Sequence, residues 1–166
     1  LSHVKFRLKA LSMFNLTSIS VENFGKFLSL HKDTLEHFEM FEIDDETAEV
    51  LNNFTKLSSL EMDEISPNFT KTNNIKMIKT TRRKILKKWT QQFPCVESIE
   101  CSWNYKNLTE FQHLETLKVN AFAGFDAALF PLRVRNLTLT SESLSSNQPF
   151  PFEGNKIEKL TLCKNI

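Results

Sequence analysis

Four histidines, three cysteines and a set of acidic residues are the groups in this chain that could ligate a metal, attack a substrate or carry a proton. A zinc site of histidine and cysteine ligands needs at least two of them at close spacing, and His3, His31, His37 and His113 have no such partner. Cys95 and Cys101 have five residues between them, and no second pair accompanies them. Asp44 and Asp45 adjoin, but the Asp-Asp-Glu-Thr stretch in which they lie reads as a helix start, where the dipole favours acids. No phosphate-binding glycine loop occurs, and no nucleophile, base and orienting acid can be assembled from spacing. No catalytic, cofactor-binding or metal-ligating residue is therefore assigned. The chain is not expected to be an enzyme.

Charge excludes a second class. The formal net charge is +1, whereas a dedicated nucleic-acid binder carries a strong basic excess. The one basic run, Lys76, Lys79, Arg82, Arg83, Lys84, Lys87 and Lys88, accompanies Ile85, Leu86 and Trp89 at helical spacing. It reads as the solvated face of a helix anchored by those three residues. No stretch approaches the ~18 apolar residues of a membrane span.

The remaining signal is a recurrent pattern: an apolar residue, two variable ones, an apolar residue, one variable one, then a third apolar residue. It occurs as Leu8-x-x-Leu11-x-Met13, Leu35-x-x-Phe38-x-Met40, Leu57-x-x-Leu60-x-Met62 and Ile75-x-x-Ile78-x-Thr80. Val96-x-x-Ile99-x-Cys101, Leu114-x-x-Leu117-x-Val119, Val134-x-x-Leu137-x-Leu139 and Ile157-x-x-Leu160-x-Leu162 follow. Successive copies begin 18 to 27 residues apart, about 21 on average. The last three positions alternate, which is the period of a short strand. Each unit can bury its apolar side only against its neighbours, so length sets the number of units rather than the size of one core.

Between the copies lie helix-like segments. Val21, Phe24, Phe27, Leu28 and Leu30 mostly share one helical face, and Ala48, Leu51 and Phe54 form a second stripe. A third helix is expected over Arg82 to Phe93, stopped by Pro94, and a short fourth over Ala121 to Phe130. Asn107 to Phe111 allows a turn or two, and Ser141 to Asn155 reads as loop. Strand, crossover and parallel strand wind right-handedly. The expected fold is therefore α/β, one solenoid or horseshoe over residues 1–166 with about eight irregular repeats. A parallel sheet would line its concave side, with helices or turns on the convex side. An internal break could fall at Pro67 to Asn74. Neither end reads as a polar cap, so the array is expected to be a fragment of a longer one.

Such an array presents a surface. The residue between the second and third apolar positions faces outward: Ser12, Glu39, Glu61, Lys79, Glu100, Lys118, Thr138 and Thr161. Part of that row alternates in sign, which would align and solubilise the sheet or select a partner of complementary charge. Glu39 and Glu61 do not compensate each other, so a basic group of a partner could sit there. The next outward position includes Phe14, Phe41 and Asp63. The two phenylalanines either anchor an interface or turn into the strand-to-helix loop and pack there. Trp103 and Tyr105 present the same pair of readings. The expected protein-binding residues on the concave face are Phe14, His37, Glu39, Phe41, Glu61, Asp63, Lys79 and Lys118.

Spacing, motif and connectors together resemble leucine-rich repeat proteins over nearly the whole chain. The segment from Phe24 to Met40, a helix ending in Phe-Leu, a polar turn, then Thr34-Leu35-Glu36 entering a strand, is similar to the repeat region of invertebrate F-box proteins. The resemblance implies the substrate-binding part of a ubiquitin-ligase adaptor, joined to the ligase core through a region outside this chain. It also implies an Asn three residues beyond the third apolar position. Those slots hold Leu16, Ile43, Ile65, Arg83, Asn104, Phe122, Glu142 and Asn165, so two of eight match.

The three scattered cysteines give no disulfide framework and point to a reducing compartment, cytoplasmic or nuclear. Asn-x-Thr at Asn15, Asn53, Asn68, Asn107 and Asn136 points the other way, to a secreted or cell-surface receptor fragment carrying glycans. A structural spacer holding other domains apart is the third reading.

Overall fold

A computed structural model describes residues 7–13, 20–70, 72–81, 87–102, 108–120, 133–141 and 156–164. The expected helix at 121–130, the expected loop from Ser141 to Asn155 beyond its first residue, and Phe14, Trp103 and Tyr105 lie outside the described residues; Ser141 itself ends a strand. The chain divides into two compact units, residues 1–75 and 76–166, just after the Asn- and Thr-rich stretch at 67–74.

A strand forms at every copy of the motif. In the first unit these are β1 (Ala10–Met13), β2 (His37–Met40) and β4 (Ser59–Glu61); in the second, β6 (Met77–Thr80), β7 (Ser98–Cys101), β8 (Thr116–Asn120), β9 (Asn136–Ser141) and β10 (Lys159–Lys164). Within each unit the strands lie side by side in chain order, all parallel, and neither sheet closes on itself. The fold is thus α/β with parallel strands. Register follows the motif: Phe38 faces Leu11 and Leu60, and Leu117 faces Ile99 and Leu137. A one-residue slip would turn every one of these side chains to the other face.

The interior is the expected one. Leu35, Leu57, Ile75, Val96, Leu114 and Val134 at the first motif position, with Phe38, Leu60, Ile78, Ile99, Leu117 and Leu137 at the second, are buried. Cys101 and Thr80, at the third position, are buried too. On β10, which is paired on one side, Leu160 is 44% exposed.

A backbone device repeats at strand entry. The carbonyl of Lys9 accepts from the N–H groups of both Glu36 and His37, at 2.8 and 3.0 Å. Glu36 does the same for Ser58 and Ser59, Lys76 for Glu97 and Ser98, Glu97 for Glu115 and Thr116, Glu115 for Arg135 and Asn136, and Arg135 for Glu158 and Lys159. Two consecutive donors on one carbonyl of the preceding strand fix where each new strand begins.

Helices supply crossovers in the first unit. α1 (Val21–Ser29) starts at Ser20, whose side chain accepts from the Asn23 N–H. α2 (Asp45–Leu51) starts at Asp44, whose Oδ1 accepts from the Thr47 N–H at 2.8 Å. Asp44→Ala is therefore expected to cost about 1 kcal/mol of unfolding free energy, read from a shift in the denaturant midpoint. α1 packs on α2 at Gly25, where a Cβ would lie 3.4 Å from Val50 Cγ2. Phe24 and Leu28 of α1 are buried as the helical stripe requires, but Phe27 and Leu30 are exposed. In α2, Ala48 and Leu51 are buried, and Phe54 beyond its end is buried with them.

In the second unit the described part of the third helix is α3 (Lys87–Gln92), within the expected Arg82–Phe93. Trp89 and the following Phe93 are buried edge to face, centroids 6.3 Å apart, and Pro94 lies in the turn that follows. A 3-10 turn at Leu108–Glu110 makes the short connection expected there.

One element was not expected. β3 (Glu42–Ile43) and β5 (Glu64–Ile65) form a second, two-stranded parallel ladder, with Ile43 beside Ile65 and both buried. These are the slots in which the resemblance implied asparagine. Here an apolar pair takes the place of a side-chain amide ladder.

Candidate protein-binding surface

Strand alternation turns the variable motif position outward in both units. In the second unit Lys79 lies beside Glu100, Glu100 beside Lys118, and Lys118 beside Thr138. Glu100 Oε1 accepts from Lys118 Nζ at 2.9 Å and from Asn120 Nδ2 at 3.0 Å. Burial pushes the Glu100 carboxyl up. The hydrogen bonds from Lys118 and Asn120, with the charges of Lys118 and Lys79, outweigh burial and hold it below the ordinary carboxylate value. This part of the row neutralises itself. A depressed folded-state pKa adds stability above the unfolded value of about 4.5, and that stability is lost as pH falls through the lower folded value. Glu100→Gln is expected to destabilise by about 1 kcal/mol at pH 7. The gap between the two proteins in denaturant unfolding should close as the pH falls below 4.5.

Ser12 lies beside Glu39, and Glu39 beside Glu61, so two like charges face each other across adjacent strands. His37 precedes Glu39 by two residues on the same face of β2. Its Nδ1 and the Ser59 hydroxyl on β4 share a 2.9 Å hydrogen bond. His37, Glu39 and Glu61 are each partly buried, and one ligand-type atom from each lies within 4.8 Å of the other two. The sequence named all three as surface residues but offered no reason to group them as ligands, because they converge from strands 22 residues apart.

Phe41 and Asp63, expected at equivalent outward positions, diverge. Phe41 is 67% exposed, at the bend between β2 and β3. It does not pack into the loop. Asp63 is 6% exposed, so its expected place among surface contacts is corrected. β4 ends at Glu61, and strict alternation cannot be extended through the bend that follows. The Asp63 N–H is instead tied to the Phe41 carbonyl at 2.9 Å. Of the expected contact residues, the first unit brings His37, Glu39 and Glu61 together on β2 and β4, and leaves Phe41 exposed at the bend beyond β2. Lys79 and Lys118 belong to the row of the second unit.

Other charges at strand entry are paired. Lys9 meets Glu36 at 3.1 Å, Lys76 meets Glu97 at 2.6 Å and Arg135 meets Glu158 at 3.5 Å. The hydrogen bond from Lys76 to Glu97 raises the lysine pKa above its ordinary value. An open cleft of about 270 Å³ in the second unit is lined by Gln112, His113, Glu115, Arg133, Arg135 and Lys156. Arg133 is committed within it to the Gln112 carbonyl.

All three cysteines carry free thiols. Among the described sequons, Asn53 and Asn68 are exposed, whereas the Asn136 amide lies between β8 and β9 and donates to the Thr116 hydroxyl at 3.4 Å. Among the described residues no helix is long and apolar enough to cross a membrane. No family model, curated protein or solved structure matches the chain.

Proposed function

We propose that this chain is a protein-binding module, a leucine-rich repeat array whose outward strand face receives a partner protein. The observation that carries this reading is Phe41. A large apolar side chain held two-thirds in solvent at the end of a strand is what an interface anchor requires. Beside it, Glu39 and Glu61 supply unlike-charge attraction for a basic partner surface, which sets approach and register more than affinity. The eight in-phase strands support the repeat reading, and the concave, horseshoe-like disposition of that face is part of the same proposal. The connector-and-strand pattern from Phe24 to Met40 favours, within it, the substrate-binding repeats of an F-box ubiquitin-ligase adaptor working in the cytoplasm or nucleus. Binding, not catalysis, is then the activity. The test is affinity capture from the source cells with the wild-type chain and with Phe41→Ala. Proteins retained by the first and lost from the second support the reading; identical retention by both rejects the face.

A further inference from the structure

We propose that His37, Glu39 and Glu61 form a binding site for a single divalent transition-metal ion of the zinc class. The site does not depend on the protein-binding reading, because metal uptake needs no partner.

The donor set and its convergence carry the argument. One imidazole and two carboxylates, three potential ligands from two adjacent strands, come within 4.8 Å of one another. A tetrahedral ion with bonds of about 2.0–2.2 Å needs its ligand atoms about 3.3 Å apart, which rotation of the glutamate side chains can supply. Register places Glu39 directly beside Glu61, and alternation along β2 places His37 on the same face.

The imidazole separates this cluster from an ordinary acidic patch. Acidic oxygens alone suit magnesium or calcium, whereas a nitrogen ligand shifts preference to zinc and its neighbours. The imidazole is also held. The hydrogen bond between His37 Nδ1 and the Ser59 hydroxyl fixes the ring over the strand pair, the role outer partners play around metal-bound histidines. Like charges directly opposite on neighbouring strands are unfavourable, and a divalent cation between Glu39 and Glu61 reverses that sign. Three protein ligands leave a fourth position for water. A lysine or arginine brought by a partner protein would compete with the ion for the same oxygens.

The experiment uses chelator-treated chain 1–166, titrated with Zn2+ by calorimetry and with Co2+ by visible absorption. The variants are Glu39→Gln, Glu61→Gln and Ser59→Ala, with circular dichroism confirming that each is folded. The wild type is expected to take up Zn2+ at one site that both carboxamide variants weaken at least about tenfold, with Ser59→Ala weakening it by about tenfold through the ring it positions. The Co2+ complex should show ligand-field bands without a thiolate charge-transfer band. The proposal is overturned by equal affinity in wild type and both carboxamide variants, or by a thiolate band, which would place the ion on Cys95 or Cys163. Absence of uptake by the wild type overturns it as well.

Discussion

Phe38→Ala is expected to lower the free energy of unfolding by about 4 kcal/mol, the largest effect of any single change considered. Phe38 has no accessible surface, and its register neighbours on both sides, Leu11 and Leu60, are apolar motif residues too. Truncation removes the apolar transfer energy of a ring and leaves a void beneath the sheet, which strands held in register by backbone hydrogen bonds cannot readily fill. Against a total stability of about 5–15 kcal/mol for a typical domain, the loss is a large share. Denaturant unfolding followed by far-ultraviolet circular dichroism measures it. Leu30→Ala is the control: Leu30 is 79% exposed, and its loss should move stability by less than about 0.5 kcal/mol. Similar midpoints for the two variants would mean that the motif leucines and phenylalanines are not the core.

Phe41→Ala should produce the opposite pair of effects. Phe41 follows β2 at the bend, and its side chain is exposed where that of Phe38 has no accessible surface. Being 67% exposed, it contributes little to folding, and stability should stay within about 0.5 kcal/mol of wild type. If it is the anchor of an interface, its removal costs at least about 2 kcal/mol of binding, roughly 30-fold in Kd. The measurement is a calorimetric or fluorescence titration of the captured partner against both proteins. Unchanged affinity with unchanged stability would remove Phe41 from the interface.

Much of this fold was legible because strand alternation and repeat spacing are local signals. The eight motif copies each formed a strand, and the alternating charges at Lys79, Glu100 and Lys118 met in the register that equal spacing implies. Asp44 capped α2 as its place before an apolar stripe suggested. What was not legible arose where the chain turns. β3 and β5 are two residues each, too short for any period to show, although the isoleucines at 43 and 65 were the trace they left. Counting along the strand points Asp63 outward, but the count runs through a bend, where parity no longer fixes direction. The apolar stripe from Val21 to Leu30 shares a helical face but not one degree of burial: Phe24 and Leu28 are buried, whereas Phe27 and Leu30 are exposed. The convergence of His37 with Glu39 and Glu61 is a tertiary fact, since a search along the chain for closely spaced ligands cannot find one contributed by the neighbouring strand.

The claim on which the functional account rests is that the outward face of the strands, rather than the helical side, meets the partner. Hydroxyl-radical footprinting of the chain alone and in complex decides between them, because each side offers an exposed phenylalanine: Phe41 after β2 and Phe27 on α1. The account predicts a severalfold fall in labelling of Phe41 on complex formation, with Phe27 labelled as before. Protection of Phe27 with Phe41 unchanged would contradict it.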